Sequence, residues 1–175
     1  MLKMKRLFIV FSFIGLISFS GVLQAQNQLK VGYINSQELI QAMPESDSAQ
    51  AKIQRHAKQL QDQMEQMQVE FNNKYENYIS QADEMSDLIK QTKETELQEM
   101  NQRIQQFQST AQDDLQNTRQ KLFKPILDKA NKAIADVGKE NKFTYVFDVS
   151  SGALIYQSED AINLLPLVKK KLGLE

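Results

Sequence analysis

Residues 46–85 read SDSAQAKIQRHAKQLQDQMEQMQVEFNNKYENYISQADEM, and residues 86–141 read SDLIKQTKETELQEMNQRIQQFQSTAQDDLQNTRQKLFKPILDKANKAIADVGKEN. Apolar residues recur there in steps of three and four: Ile53, Leu60, Met64, Met67, Phe71, Tyr78 and Met85. A second series runs Leu97, Met100, Ile104, Phe107, Ala111, Leu115, Leu122 and Ile126. Gln, Glu, Asp, Lys and Asn fill the intervals, and no Gly occurs from Tyr33 to Val137. This is the period of a narrow apolar seam on long helices, close to the coiled-coil repeat.

The flanks decide whether the stretch runs straight or turns back. Leu29–Ile34 reads as a strand, and Phe143–Val149, aromatic and β-branched throughout, as a stronger one. A single straight helix over 46–141 would hold them about 140 Å apart. Isolated strands are unstable in water, so a helical hairpin that reunites them is favoured. Ser86-Asp87, within a hinge window of 82–90, is the expected reversal, since Ser can end one helix and cap the next. It leaves two nearly equal arms, Ser46–Glu84 and Leu88–Lys124, each roughly 55–60 Å long. Pro125 then falls where the returning helix meets the body and should bend it locally.

Around the arm, Asn35 and Glu38 form a capping-box pattern over a short helix from Ser36 to about Met43, ended by Pro44. Ser46 or Asp47 is the expected cap of the first long helix. Ser150-Ser151-Gly152 is turn chemistry, which makes Ala153–Gln157 the second strand of a β-hairpin with Phe143–Val149. Asn163 should cap a last helix, with Ile162 and Leu167 as its hydrophobic staple, Pro166 in its first turn and Gly173 as its stop. The expected fold class is α+β: a small sheet-and-helix body (26–45 and 125–175) bearing a long antiparallel helical-hairpin arm (46–124).

Residues 1–25 carry a basic start, an apolar run Leu7–Phe19 and a polar end at Leu23-Gln24-Ala25. That order reads as a cleaved secretory signal, too short for a membrane span, with cleavage after Ala25. No Cys follows, so no lipid anchor and no stable membrane insertion are expected. Of 21 basic residues, three lie in this leader, and the mature chain keeps 18 against 22 acidic residues, a net of −4. A mildly acidic chain gains little from phosphate backbones, which argues against nucleic acid as a partner.

No constellation for catalysis stands out. His56 has no His or Cys partner at ligand spacing and reads as a solvated helix-face residue. Asp113-Asp114 and Glu94/Glu96 could in principle bind a cation or act as acid and base, but adjacent helix positions do not face each other. Phosphate-binding Gly-Lys loops and Gly-rich nucleotide turns are missing from the sequence. The expectation is a protein that is not an enzyme, with no cofactor and no metal. The working part is then the arm. Met64, Met67, Phe71, Met85, Met100 and Phe107 most simply seal its two helices. Met64, Met67, Phe71, Tyr75, Tyr78 and Met85 are also the candidates for contact with a client, because Met is polarisable and moulds to varied partners.

The order of leader, Lys-Val-Gly-Tyr-Ile-Asn at 30–35, Gln-rich hairpin, Phe-Thr-Tyr-Val-Phe-Asp-Val-Ser-Ser-Gly at 143–152 and a closing helix ending Lys-Lys-Leu-Gly resembles the Skp/OmpH family of periplasmic chaperones. The resemblance implies a jellyfish-like homotrimer whose bodies associate through their strands, here Val31, Tyr33, Ile34, Phe143, Tyr145, Phe147, Leu154 and Tyr156. It further implies an ATP-independent periplasmic holdase that keeps unfolded outer-membrane β-barrel proteins in a cavity between helical arms. The other reading is a structural or adaptor coiled coil of the envelope without chaperone activity. The best-known Skp proteins are strongly basic with positive arm ends. Here the tip carries Asp83, Glu84, Asp87, Glu94 and Glu96 against Lys90 and Lys93. That departure removes the charge basis on which lipopolysaccharide binding or electrostatic capture of acidic clients would be carried over from the family.

Overall fold

A computed structural model describes residues 29–174. The expected leader lies outside the described residues. The chain runs β1 (Val31–Ile34), α1 (Ser36–Gln41), α2 (Pro44–Gln81), a 3-10 turn (Ala82–Glu84), α3 (Asp87–Glu140), β2 (Tyr145–Asp148), β3 (Ile162–Asn163) and α4 (Leu165–Leu172).

Helix α1 starts where the Asn35 side chain accepts a hydrogen bond from the Glu38 amide, at 3.0 Å. The expected capping box is only half formed. The Glu38 carboxylate turns to α4 instead, where Lys169 donates to it at 3.2 Å. The start of α2 also departs from expectation. Neither Ser46 nor Asp47 caps it; the helix begins at Pro44, with Met43 extended before it. Proline is pre-set for the first helical position and lacks the amide that a cap would have to satisfy, and it forces the residue before it out of the α region. Met43 thereby swings into the core, where it is fully buried.

Helix α2, with 38 residues, rises about 57 Å, and α3, with 54 residues, about 81 Å. They form an antiparallel hairpin through Ala82–Ser86. Ser86 is extended and its hydroxyl accepts from the Ile89 amide at 3.4 Å, which caps α3. Pro125 lies inside α3 and is exposed. The Lys121 carbonyl it leaves without an amide partner can therefore be met by water, and the helix continues.

At its far end α3 closes in a Schellman arrangement. The Lys142 amide reaches the Lys139 carbonyl at 3.1 Å, and the Phe143 amide reaches the Gly138 carbonyl at 2.9 Å. Lys142 occupies the left-handed position, with φ 58°. That turn feeds the chain into β2.

The sheet differs from the expected β-hairpin. β2 pairs with β1 in parallel, Val31 opposite Tyr145 and Ile34 opposite Asp148. β3 pairs with the other side of β1, also in parallel, giving the order β2-β1-β3. Ala153–Gln157 forms no strand, so Leu154 and Tyr156 lie in exposed, irregular chain. Parallel neighbours need a long crossover, and the arm supplies one between β1 and β2. The turn residues serve another end. Asp148 accepts hydrogen bonds from the Ser36 amide (3.1 Å) and hydroxyl (2.5 Å), and from the Ser150 amide and hydroxyl (both 2.9 Å). This ties the end of β2 to the start of α1.

The core sits between the inner sheet face, α1, the base of the arm and α4. Ile34, Leu39, Met43, Ala49, Ile126, Ala130, Ala133, Val137, Leu164, Leu165 and Val168 form one buried cluster. Gly32 lets the layers meet: a Cβ there would stand 2.3 Å from Leu164 Cδ1 and 2.8 Å from Phe143 Cε1. The cap position of α4 is Leu164 rather than the expected Asn163, whose side chain, one residue earlier at the end of β3, accepts from the Leu165 amide at 2.9 Å; Gly173 ends the helix at φ 70°. The expected staple is absent, because Ile162 and Leu167 both face solvent while Leu164, Leu165 and Val168 make the contact.

Candidate functional site

Two surfaces, rather than a pocket, stand out. The first is the outer face of the sheet. Strand alternation turns Gly32, Ile34 and Val146 inward and leaves Val31, Tyr33, Tyr145 and Phe147 on the other side. Tyr145 is 55% and Phe147 47% exposed, with ring centroids 6.3 Å apart. Among the described residues, no strand pairs with the outer edges of β2 and β3. Between β2 and β3 in the chain runs the irregular segment 151–160, in which Ile155 is 98% and Tyr156 79% exposed and Leu154 also faces solvent. Phe143 differs from the other strand residues: it is partly buried against the core. Ile155, the most exposed large apolar residue described, was not singled out by sequence pattern, since a short apolar run reads alike in a strand and in a loop.

The second surface is the arm. Only Ile53, Met100 and Ile104 are buried along it beyond the body cluster. Met64, Met67, Phe71, Tyr78 and Met85 are half-buried, as are Leu97, Phe107 and Leu115. Tyr75 is exposed and stacks parallel on Phe71 at 6.2 Å. Two helices alone cannot close a seam from both sides along its whole length, so most seam residues from Met64 outward keep a flank open to water.

Polar ties register the two helices. His56 Nε2 meets Asp114 at 2.5 Å, so this histidine is a cross-arm tie rather than a merely solvated residue. Tyr78 donates its hydroxyl to Glu94 at 2.5 Å, which holds the phenol pKa up. Lys74 donates to Glu96, holding that carboxyl below its ordinary range and the ammonium above its own. Lys129 donates to Glu45 at the arm base and lowers its pKa likewise. The carboxylates of Glu94/Glu96 and Asp114 thus go to separate partners on the facing helix. Among the described residues no three His, Asp or Glu side chains gather as a metal site. Burial pushes the Asp148 carboxyl up, but the hydrogen bonds from Ser36 and Ser150 outweigh it and hold the pKa low.

A small body of sheet and helices carrying a half-sealed helical hairpin defines an arm-bearing architecture. The profile of the family "Outer membrane protein (OmpH-like)" matches residues 30–172, and the chain belongs to that family. A crystal structure from Caulobacter crescentus, described as a candidate outer membrane chaperone (OmpH-like), superposes with a TM-score of 0.71. The likeness covers 81% of this chain and 82% of that one at 14% identity, which speaks for the fold. No curated protein sequence matches. Among the described residues no helix is long and apolar enough to cross a membrane.

Proposed function

We propose that this protein is an ATP-independent periplasmic holdase that keeps unfolded outer-membrane β-barrel proteins from aggregating. The observation that carries the reading is the half-open Met and aromatic seam of the arm, set on a body with a closed core. An unfolded barrel precursor presents alternating apolar residues and unpaired strand edges. Many weak, adaptable contacts along Met64, Met67, Phe71, Tyr75, Tyr78 and Met85 suit such varied clients and permit release.

Self-association supplies the remaining walls of the cavity. The exposed aromatic sheet face, the unpaired strand edges and the apolar 153–157 segment support contact between copies, in a trimer with three arms around one space. No nucleotide, metal or other cofactor takes part. Residues 1–25 direct export and are removed.

Dilution of a urea-denatured outer-membrane barrel protein into the mature chain, without nucleotide, tests the reading. The client stays soluble at one trimer per client; aggregation at the uncatalysed rate overturns the holdase. Sedimentation at micromolar concentration gives a trimer, and a monomer or dimer overturns the three-armed cavity. Because the arm is acidic, client affinity falls less with added salt than in basic relatives.

A further inference from the structure

The chain has no cysteine, so methionine carries all of its side-chain sulfur. Of its seven methionines, Met1 and Met4 lie outside the described residues, and the others fall into two groups. Met43 in the body and Met100 on the arm are buried, at 1% and 3% exposure. Met64, Met67 and Met85 are half-buried, the first two on α2 and the third at the reversal. Among the described residues, every methionine that water reaches therefore belongs to the open seam. The ties from His56 to Asp114 and from Lys74 to Glu96 set the register of the hairpin. They place Met64 and Met67 level with residues 103–107 of α3, the turn that carries Ile104 and Phe107.

We infer that Met64, Met67 and Met85 form a reversible oxidation site, through which a peroxide makes the arm's seam polar while the body stays folded. The thioether sulfur attacks one oxygen of hydrogen peroxide. An S–O bond forms, the O–O bond breaks, and the proton on the attacked oxygen passes to the departing hydroxide. Sulfur is thereby oxidised by two electrons to the sulfoxide, and the other peroxide oxygen leaves as water. Methionine sulfoxide reductases reverse the step with two thiols, which end as a disulfide while the oxygen leaves as water.

Burial sets the order of reaction. An oxidant reaches Met43 only when the body opens and Met100 only when the arm parts, whereas the other three are met in the closed hairpin. Position sets the effect. Leu60, Met64, Met67 and Phe71 succeed one another in steps of three and four, so they share one face of α2. A sulfoxide oxygen on that face needs a donor or water, and meeting that need draws water into a seam held by apolar contact. The consequence for clients rests on the holdase reading; the site and its effect on the arm do not.

The test treats the full mature chain with hydrogen peroxide and follows each methionine by peptide mass spectrometry. Met64, Met67 and Met85 become sulfoxides at least about tenfold faster than Met43 and Met100. Amide hydrogen exchange in the oxidised chain rises at least about threefold over residues 60–71 and is unchanged around Leu39 and Val168. Client holding, each protein measured against its own untreated sample, falls several-fold in wild type and far less in the Met64→Leu, Met67→Leu, Met85→Leu triple variant. Both epimer-specific reductases with a dithiol restore the wild-type value. Oxidation of all five methionines at one rate overturns the inference, as does unchanged exchange in the oxidised arm or faster exchange in the body. Equal loss of holding in wild type and the triple variant overturns it too. If untreated wild type holds no client, the holdase reading fails alone, and the oxidation order and hydrogen exchange decide the inference.

Discussion

The body and the arm are built from the same apolar residue types and end in opposite states. In the body, α1, α4, the sheet and the arm base surround each core position, so Leu39, Leu164 and Val168 lose all contact with water. In the arm, two helices face each other with nothing behind, and Met64, Met67 and Phe71 keep an open flank. The number of layers around a residue, rather than its hydrophobicity, decides how much it stabilises. The body is thus committed to folding, and the arm keeps apolar surface available.

Truncation should separate the two regions most sharply. Leu164→Ala costs about 2–5 kcal/mol in urea unfolding, through lost burial and the cavity left behind. Met67→Ala costs about 1 kcal/mol or less, because solvent already reaches that side chain, yet it weakens retention of a denatured barrel client. Equal losses of stability at the two sites would break the contrast.

Overpacking comes next. Gly32→Ala puts a methyl against Leu164 and Phe143, and since Leu164 is fully enclosed, the clash cannot relax outward. A loss of about 1–3 kcal/mol is expected from the urea midpoint. An unchanged midpoint would show that the sheet and α4 are not pressed together at this point.

Smaller again is the tie between β2 and α1. Asp148→Asn weakens hydrogen bonds to Ser36 and Ser150 and lowers stability by about 1 kcal/mol at pH 7. The folded-state pKa of Asp148 is depressed, so its contribution is present above the unfolded value of about 4 and is lost as pH falls through the lower folded value. Wild type therefore loses stability in acid more steeply than the Asn variant. Parallel pH profiles in chemical denaturation would remove Asp148 from the account. The smallest effect is a gain. Lys142→Gly relieves a left-handed non-glycine and stabilises by about 0.5–1 kcal/mol, read as a rise in thermal midpoint.

Much of the arm was legible because periodicity is a local property. Steps of three and four from Ile53 to Ile126 need only one helix to be read, and Ser86 announces its capping role by side-chain chemistry. The pairing of strands is not local. Alternation in Phe143–Val149 says that a strand forms and which residues share a face, but nothing about the neighbour, so a tight turn at Ser150–Gly152 suggested a hairpin. The candidate site was legible to a similar depth. The seam residues follow from spacing, whereas the exposure of Ile79, Leu88 and Ile155 depends on what fails to pack over them.

The sequence by itself determined two long helices, their reversal, the short helices at either end of the body and an acidic tip, since each is set by neighbours within one or two turns. Only the tertiary structure decided that β1 lies between two parallel partners, that Asp148 closes onto Ser36, and that the arm's seam stays half open. Those outcomes depend on which segments meet in space. Residues 31 and 145 meet because a rigid crossover of more than a hundred residues brings the chain back to where it began.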